Sequence, residues 1–270
     1  MKASGKVVVV TGAGNGMGRQ TCLELLRRGA SVAAIDINQA GLDETYDLAG
    51  ENKNKVTTFI VDISNQNEVA ALVPKVLEKF GTVDGLINVA GIINKFKSVS
   101  ELSYEDFHKV FGVNFYGTVH MVKEFLPTLL KRSEAQILNI SSMGGYVPVP
   151  GQTIYGASKA AIKLFTEGLR SELKGTNVGV SVLFPGAVNT NISINSGALT
   201  KEEAERMAGA APKFKATDQV LAGKLIVDAF ENNPFHAFIG SDAKTMYRLS
   251  RLAPEKAANL IQKQMASLIK

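Results

Sequence analysis

The sequence predicts an α/β fold: a single Rossmann-like domain with a doubly wound parallel sheet and helices on both of its faces. Six short runs rich in β-branched residues alternate with longer segments of helical periodicity. Most of the runs lack polar alternation, which indicates strands that are covered on both faces. The repeated order of strand, helix and strand implies right-handed crossovers and therefore a parallel sheet. Because no internal repeat or low-complexity linker divides residues 1–270, we predict one domain.

Each predicted element follows from its local pattern. The strands are residues 7–10, 31–35, 56–61, 85–88, 136–140 and 178–183, where branched side chains favour extended backbone. The helices include residues 19–28, 67–80, 104–130 and 153–174, which carry apolar side chains three and four positions apart. Cys22, the single cysteine, falls in the first helix, so we predict a reduced and buried thiol.

Composition narrows the classes of function. The chain has 270 residues, 45% of them hydrophobic, and can bury a substantial core. Its apolar run near the start is far shorter than the roughly 20 residues of a membrane span, and no leader pattern precedes it, so we expect a soluble, cytoplasmic protein. The net charge of +5 comes from scattered basic residues, which disfavours nucleic-acid binding. The three histidines are widely separated, and we predict no metal site.

A glycine-rich turn joins the first predicted strand to the first predicted helix. It reads Thr11-Gly-Ala-Gly-Asn-Gly-Met-Gly18. Glycines at 12, 16 and 18 would let the backbone approach a pyrophosphate, which the N–H groups of the helix N-terminus would then face. The spacing differs from the commonest dinucleotide fingerprint and from a P-loop. Its position between a strand and a helix nevertheless predicts a phosphate-binding loop; a tight turn without a ligand is the alternative.

Asp36 follows the second predicted strand, where a carboxylate would accept hydrogen bonds from an adenosine ribose. This position predicts NAD over NADP. A 2′-phosphate about 4 Å from the carboxylate would meet a repulsion of about 4 kcal/mol at an effective dielectric near 20, which Arg19 could soften. The alternative is that Asp36 only caps the next helix, although Asn38 could do so instead.

Tyr155 and Lys159 are four residues apart and share one face of a predicted helix. A tyrosine hydroxyl ordinarily has a pKa near 10 and is seldom ionised at neutral pH. An ammonium one turn away favours the anion, so we predict that Lys159 lowers the pKa of Tyr155 and makes it a usable acid and base. The alternative is a packed ring beside a snorkelling lysine. Ser142, at the end of a strand thirteen residues upstream, favours the catalytic interpretation.

Seven short motifs occur in order over about the first 190 residues. They are the glycine-rich turn, Asp62, Asn88-Val-Ala-Gly91, Asn114, Ser141-Ser142, Tyr155-x-x-x-Lys159 and Pro185-Gly186. Together they resemble the classical branch of the short-chain dehydrogenase/reductase family. The resemblance implies an NAD-dependent oxidoreductase that interconverts a secondary alcohol and a ketone.

The resemblance also implies catalytic roles. Tyr155 would exchange a proton with the substrate oxygen, and the Ser142 hydroxyl would orient and polarise that oxygen. Lys159 would also bind the nicotinamide ribose, and Asn114 would kink its helix and hold a water that joins Lys159 to solvent. The cofactor would carry the hydride. Two alternatives stay open: Ser141 as the reactive hydroxyl, and Asn114 as the cap of a broken helix.

Cofactor contacts follow from the same resemblance. Asp62 would accept a hydrogen bond from the adenine amine, with Ile63 as a backbone donor, unless Asp62 is instead an N-cap. Thr190 would contact the carboxamide. The predicted contacts are Gly12, Asn15, Gly16, Met17, Gly18, Asp36, Asp62, Ile63, Asn88, Ala90, Gly91, Tyr155, Lys159, Pro185, Gly186, Val188 and Thr190. Val89 stands where the family often has a second asparagine, which predicts a local packing change.

Specificity and assembly are expected to depend on other segments. Residues 187–212, with a helix-like stretch at 201–207, occupy the position that the resemblance assigns to a substrate lid. Residues 143–150 supply an apolar wall, which favours an apolar or amphipathic substrate such as a steroid-like or 3-oxoacyl compound. Residues 241–270 form a predicted helical extension with an apolar stripe that packs on its own subunit or a partner, or contacts a membrane surface. The stripe consists of Ala258, Ile261, Met265, Leu268 and Ile269.

Relatives pair through helices equivalent to residues 104–130 and 153–174, so we expect a homodimer or homotetramer. Two rival functions are weighed. A catalytically silent NAD-binding redox sensor of the same fold would need none of Ser142, Tyr155 and Lys159. An epimerase or dehydratase of the extended branch would ordinarily need a longer chain and a larger C-terminal substrate domain. The sequence favours the dehydrogenase over both.

Overall fold

A computed structural model describes residues 1–202 and 216–265. Seven parallel strands form one sheet in the order β3-β2-β1-β4-β5-β6-β7. The strands are β1 (Val7–Thr11), β2 (Ser31–Asp36), β3 (Val56–Ile60), β4 (Gly85–Asn88), β5 (Ala135–Ile140), β6 (Val178–Pro185) and β7 (His236–Ile239). The predicted doubly wound, Rossmann-like fold is confirmed. The strand order reverses between β1 and β4, so a crevice opens at their carboxyl ends.

Helices cover both faces of the sheet. They are α1 (Gly16–Arg27), α2 (Gln39–Leu48), α3 (Gln66–Phe80), α4 (Tyr104–Phe111), α5 (Gly117–Leu129), α6 (Thr153–Glu172), α7 (Ile192–Asn195), α8 (Gln219–Asn232), α9 (Ser241–Leu252) and α10 (Pro254–Met265). Within the described ranges, no helix has the length and apolar character needed to cross a membrane.

The interior strand β1 contributes side chains to two separate hydrophobic cores. Val8 and Val10 pack with α1 and α8 on one face of the sheet, and Val9 packs with α3 and α5 on the other. All three side chains are fully buried. This two-sided burial is the physical reason for an apolar run without polar alternation. Cys22 is buried in the first core, as predicted, and burial raises the pKa of its thiol.

The prediction of one continuous helix over residues 104–130 is wrong in one respect. A π-helical turn at Gly112–Tyr116 separates α4 from α5. Three elements, β7, α7 and α8, were not predicted. Strand β7 lies at the edge of the sheet with only Ile239 buried, so it lacks the fully apolar pattern of the interior strands. Helix α8 has readable boundaries, because Asp218 caps its N-terminus and Asn233 ends it in the left-handed conformation.

Helices α9 and α10 occupy residues 241–265 of the predicted extension. Ala257 and Ile261 of α10 pack with Met246 of α9 against Val147. The extension therefore contacts the loop that follows Ser142 in its own chain. The predicted stripe needs one correction, since Ala257 is buried and Ala258 only partly so. Leu268 and Ile269 lie outside the described residues.

Candidate active site

The glycine-rich turn packs tightly against the neighbouring strand end. A Cβ atom added at Gly12 would lie 2.9 Å from the backbone of Ala90, and one at Gly18 would lie 2.0 Å from the carbonyl oxygen of Gly12. Gly12 and Gly16 also have φ values of +70° and +49°. Glycine is therefore required here by close approach and by backbone conformation. Helix α1 begins at Gly16, inside the glycine-rich turn, and its N-cap, Asn15, makes no side-chain capping bond within the described chain.

A cavity of about 710 Å³ lies at the carboxyl ends of β1, β2 and β4. Eleven predicted cofactor contacts line it. They are Gly12, Asn15, Gly16, Met17, Gly18, Asp36, Asp62, Ile63, Ala90, Gly91 and Thr190. The remaining six are not among the described residues that line it, namely Asn88, Tyr155, Lys159, Pro185, Gly186 and Val188. Gly91 connects the two groups, because a Cβ atom added there would lie 3.1 Å from Lys159 Nζ.

The Asp36 carboxylate lines the cavity and holds the glycine-rich turn. Its Oδ2 accepts a hydrogen bond from the Gly14 N–H at 2.8 Å, and its Oδ1 accepts one from the Asn38 N–H at 3.0 Å. The cap of α2 is Asn38, whose side chain accepts from the Gly41 N–H. The alternative role of Asp36 as that cap is therefore wrong.

Arg19 is engaged by other groups. Its guanidinium forms an ion pair with Glu44 at 2.6 Å and donates hydrogen bonds to the Gly14 carbonyl and to Thr45 Oγ1. A guanidinium with these partners is poorly placed to offset the charge of Asp36.

Asp62 also lines the cavity, beside Ile63. Its Oδ1 accepts hydrogen bonds from the backbone N–H and the hydroxyl of Ser64, at 2.9 and 2.7 Å. The N-cap of α3 is Asn65, whose side chain accepts from the Asn67 N–H. The N-cap alternative for Asp62 is therefore wrong, and its contact with adenine stays a prediction.

Ser142 and Tyr155 come together beside Gly144. A Cβ atom added at Gly144 would lie 3.4 Å from Tyr155 Cε1 and 3.6 Å from Ser142 Oγ. Ser142 Oγ accepts a hydrogen bond from the Gly144 N–H at 3.1 Å, and it lies close enough to the Tyr155 hydroxyl to act on the pKa of that group. Two hydroxyl groups thus share one point at the carboxyl end of β5, where one carbonyl oxygen could contact both.

The predicted lowering of the Tyr155 pKa by Lys159 is wrong for this structure. Burial raises the pKa of Tyr155, and the hydrogen bond with Ser142 opposes that effect only in part. Lys159 Nζ donates to the Ile140 carbonyl at 3.0 Å and lies 5.9 Å from the centre of the Tyr155 ring. The ammonium group is therefore held by a backbone carbonyl, and its own burial lowers the pKa of Lys159 to about 8.

Ser141 serves the packing of α6. Its buried hydroxyl donates to the backbone carbonyl of Lys159 at 2.7 Å. Because this hydroxyl has a backbone partner and the Ser142 hydroxyl faces Tyr155, the geometry favours Ser142 over Ser141 as the reactive group.

We expect Ser142→Ala to lower kcat by about 10²–10³-fold without weakening cofactor binding, since a hydroxyl aimed at a developing charge contributes on that scale. We expect Ser141→Ala to keep turnover but to unfold at lower temperature, because it removes the buried hydrogen bond that joins β5 to the Lys159 carbonyl of α6. Steady-state kinetics and thermal melting of the two variants distinguish the serines. Loss of turnover in Ser141→Ala alone would reverse the assignment.

Asn114 lies in the π-helical turn and connects two parts of the site. Its Oδ1 accepts from the Ile92 N–H at 2.8 Å, and its Nδ2 donates to the Ile92 carbonyl at 3.0 Å and to Ser158 Oγ at 2.9 Å. Ser158 in turn donates to the Tyr155 carbonyl. The Asn114 side chain makes these links from within the π turn, so the helix-cap alternative is wrong. Its part in a water relay stays a prediction.

Asn88 and Thr11 hold the end of β4. Asn88 Nδ2 donates to Asn139 Oδ1 at 2.8 Å, which ties β4 to β5. Thr11 Oγ1 accepts from the backbone N–H groups of Val89 and Ala90 at 3.1 and 3.2 Å. The Val89 side chain packs on the first core, and the packing change relative to the family stays a prediction. Thr11 and Ser158 were missing from the predicted site, although both stand inside its motifs.

The segment after β6 is held by the C-terminal part of the chain. The Gly186 N–H donates to the Ile239 carbonyl at 2.9 Å, and the Ala187 N–H donates to Asp242 Oδ2 at 3.0 Å. Val188 packs on the first core. Thr190, at the end of this segment, reaches the cavity. The predicted contacts Pro185, Gly186 and Val188 thus belong to a supporting segment that leads to Thr190.

The motifs, the sheet and the glycine-lined cavity agree with a comparison of the whole sequence. The family model described as short chain dehydrogenase matches residues 6–200. The chain belongs to the short-chain dehydrogenase family. As a member it is an oxidoreductase, and the resemblance predicted from its motifs is confirmed.

Two curated short-chain dehydrogenase relatives illustrate the match. The putative oxidoreductase SadH of Mycobacterium tuberculosis is 32% identical over 260 residues, which cover 95% of this chain and 94% of that protein. The 3-oxoacyl-[acyl-carrier-protein] reductase FabG of Thermotoga maritima is 34% identical over 190 residues, which cover 70% of this chain and 77% of that protein.

The chain is also similar to solved structures in its three-dimensional fold. A short chain dehydrogenase/reductase from Burkholderia phymatum in complex with NAD has a TM-score of 0.85 and 30% identity, over 95% of this chain and 96% of that one. A short chain dehydrogenase from Burkholderia cenocepacia in complex with NADP has a TM-score of 0.79 and 26% identity, over 97% of this chain and 99% of that one. Neighbours of this short-chain dehydrogenase therefore bind either nicotinamide dinucleotide.

Proposed function

We propose that this short-chain dehydrogenase uses NAD to interconvert a secondary alcohol and a ketone on an apolar or amphipathic substrate. The observation that carries the proposal is the pairing of Ser142 and Tyr155 at the carboxyl end of the sheet. The cavity beside them has the glycine-rich turn at its base. A catalytically silent redox sensor would have no use for this pair, so the structure does not favour that alternative.

The residues around the cavity fit a dinucleotide. Glycine-rich backbone and the N-terminus of α1 would hold the pyrophosphate, and Asp36 would hold the adenosine ribose. Asp62 and Ile63 would face adenine, Lys159 the nicotinamide ribose, and Thr190 the carboxamide. When bound, NAD supplies or accepts the hydride.

The preference for NAD is supported by two carboxylates. Asp36 places a negative charge in the cavity wall, and Glu44 engages Arg19, the cation that could have offset it. A 2′-phosphate near Asp36 would therefore meet a repulsion with little local compensation.

Proton transfer is proposed to occur at the Tyr155 hydroxyl. Because burial raises its pKa, the hydroxyl is protonated at neutral pH and suited to donate to a ketone oxygen. Ser142 would donate a second hydrogen bond to the same oxygen. Lys159 would hold the nicotinamide ribose beside these hydroxyl groups, and Asn114 would keep the neighbouring backbone in place. Oxidation of an alcohol would use the same groups in reverse.

The substrate side is supported by an apolar wall. Val147 and the partly buried Met143 and Val149 pack with Met246 and Met265 of the extension. The partly buried members that follow Ser142, Met143 and Val149, would present an apolar surface to a steroid-like or 3-oxoacyl substrate, and the name of the Thermotoga maritima relative supports the 3-oxoacyl class. Methionine-rich surfaces adapt to flexible apolar chains.

The lid, the assembly and the location stay part of the proposal. Helix α7 lies within the predicted lid at 187–212, and the Ile93 N–H donates to Ser196 Oγ at 3.1 Å. Lid residues 203–212, with most of the helix-like stretch at 201–207, lie outside the described residues. Tyr104 on α4 and Leu164 on α6 are 84% and 70% exposed, which supports pairing of subunits through these helices as a homodimer or homotetramer. We retain the cytoplasm as the expected location.

A substrate screen tests the proposal directly. Sterols, 3-hydroxyacyl esters, polyols and small diols are incubated with NAD, and the absorbance of NADH is followed. Because the chain contains no tryptophan, the fluorescence of bound NADH measures cofactor affinity separately. We expect NADH binding together with turnover of an apolar class. NADH binding without turnover of any class would favour the silent sensor.

A further inference from the structure

The first turn of α9 contacts two separate parts of the active site. Tyr146, which follows the Ser142 loop, donates its hydroxyl hydrogen to the Ala243 carbonyl at 2.7 Å. Asp242 accepts through Oδ2 from the Ala187 N–H at 3.0 Å, in the segment that leads to Thr190. One helical turn of the C-terminal extension therefore contacts both the loop that follows Ser142 and the segment that leads to Thr190.

The carboxylate of Asp242 is enclosed by two glycines. A Cβ atom added at Gly186 would lie 2.3 Å from Asp242 Oδ2, and one added at Gly240 would lie 2.1 Å from Asp242 Oδ1. Gly240 also has a φ of +90°. Side chains at 186 and 240 would displace the carboxylate, so glycine at both positions is explained by the contact that Asp242 makes. The negative charge also lies in the first turn of α9, where the helix dipole favours it.

Tyr146 is held by its ring as well as by its hydroxyl. The ring makes edge contacts with Phe184 of β6 and Tyr247 of α9, with ring centres 5.4 and 5.1 Å apart. Burial and the nearby Asp242 carboxylate raise the pKa of Tyr146, so its hydroxyl stays protonated and continues to donate. Removal of the hydroxyl alone would leave the ring packing in place and the Ala243 carbonyl without this donor.

We propose that Asp242 and Tyr146 are positioning residues, which act through the first turn of α9 to fix the separation between the Ser142 hydroxyl and the segment that carries Thr190. Neither residue touches the reacting atoms in this arrangement. The C-terminal extension then helps to hold the active site in its geometry, because it connects two segments that follow different strands, β5 and β6. The inference rests on the proposed function for its kinetic effects but not for its structural ones.

Hydrogen exchange on the full chain without cofactor tests the Asp242 contact. We expect Asp242→Ala to speed exchange at the Ala187 amide by about tenfold, the scale of one hydrogen bond lost. Asp242→Asn keeps an acceptor oxygen and should retain the protection. The affinity for NADH, measured by fluorescence, should weaken in the alanine variant and be restored in the asparagine variant.

Tyr146→Phe tests the other contact, with Tyr247→Phe as the matched control on a neighbouring ring of the same aromatic cluster. We expect Tyr146→Phe to speed exchange of the amides at 143–147 and to leave NADH affinity unchanged. With ethyl acetoacetate as probe, or the substrate found by the screen, kcat should fall by about tenfold at constant KM, as expected for misplaced reacting groups. A larger isotope effect with 4-deuterated NADH would place the loss in the chemical step. Tyr247→Phe should match the parent.

Unchanged amide protection at 187 in Asp242→Ala and at 143–147 in Tyr146→Phe would overturn the inference. Equal effects of Tyr146→Phe and Tyr247→Phe would overturn it as well. If the parent turns over no probe, the proposed function fails, while amide exchange and NADH affinity still decide this inference. If Asp242→Ala does not fold, Tyr146→Phe, which removes a single oxygen atom, decides it.

Discussion

Replacing Tyr155 by phenylalanine is expected to lower kcat by about 10²–10⁴-fold, the usual contribution of a positioned acid or base. The ring would remain in place beside Gly144, but no hydroxyl would face the substrate oxygen. Because the cavity wall is formed by other residues, the affinity for NADH should be unchanged. Steady-state kinetics and NADH fluorescence measure the two quantities separately.

Tyr46→Phe is a suitable control for this variant. Tyr46 lies on α2, where it is 40% exposed, and it is remote from the Ser142 loop in the fold. It should retain full turnover and thereby separate a specific effect from a general cost of the substitution. A Tyr155→Phe variant that converts substrate as fast as the parent would contradict the proposed chemistry.

Changing the charge of Asp36 is expected to alter the choice of cofactor by up to about a thousandfold, which corresponds to about 4 kcal/mol of repulsion at an effective dielectric near 20. Asp36→Asn is the sharper variant, since its Oδ1 can still accept from the Gly14 N–H while the charge is gone. The ratio of kcat/KM for NAD to that for NADP is the measurement. We expect this ratio to fall mainly through improved use of NADP.

Glu44→Gln provides a companion to that test. It removes the ion pair of Arg19 without changing Asp36. The guanidinium charge of Arg19 would then be less neutralised and could offset the charge of Asp36 more strongly. The two substitutions together should shift the ratio further than either does alone. An unchanged ratio in Asp36→Asn and in the double variant would contradict the assignment of Asp36 as the selective group.

Local requirements explain what the sequence could predict. Gly16 is needed for a positive φ and Gly18 for its contact with Gly12, and both requirements lie within a single strand, turn and helix, so this spacing can be recognised from the sequence alone. The buried strands are readable for a similar reason, because both faces of Val8 to Val10 are covered. The catalytic pair also follows from short motifs, since the carboxyl ends of parallel strands meet at one edge of the sheet.

The features that could not be predicted from the sequence depend on contacts between distant segments. Spacing on a helix placed Lys159 one turn from Tyr155, but the partner that the ammonium finds is the carbonyl of Ile140 on another element. The direction in which the Tyr155 pKa shifts depends on burial, which cannot be inferred from the four-residue spacing. The bond between Asp242 and Ala187 spans fifty-five positions and involves a backbone N–H, so no side-chain pattern marks it.

The amide of Asn114 binds the peptide groups of Ile92 through an N–H and a carbonyl at once, as a neighbouring strand would. Two such bonds from one planar group resist twisting as well as separation. Through Asn114, the π turn therefore continues strand-like hydrogen bonding beyond the end of β4. A substitution that shifts α4 or α5 would therefore also shift the backbone of Ile92, which lines the cavity.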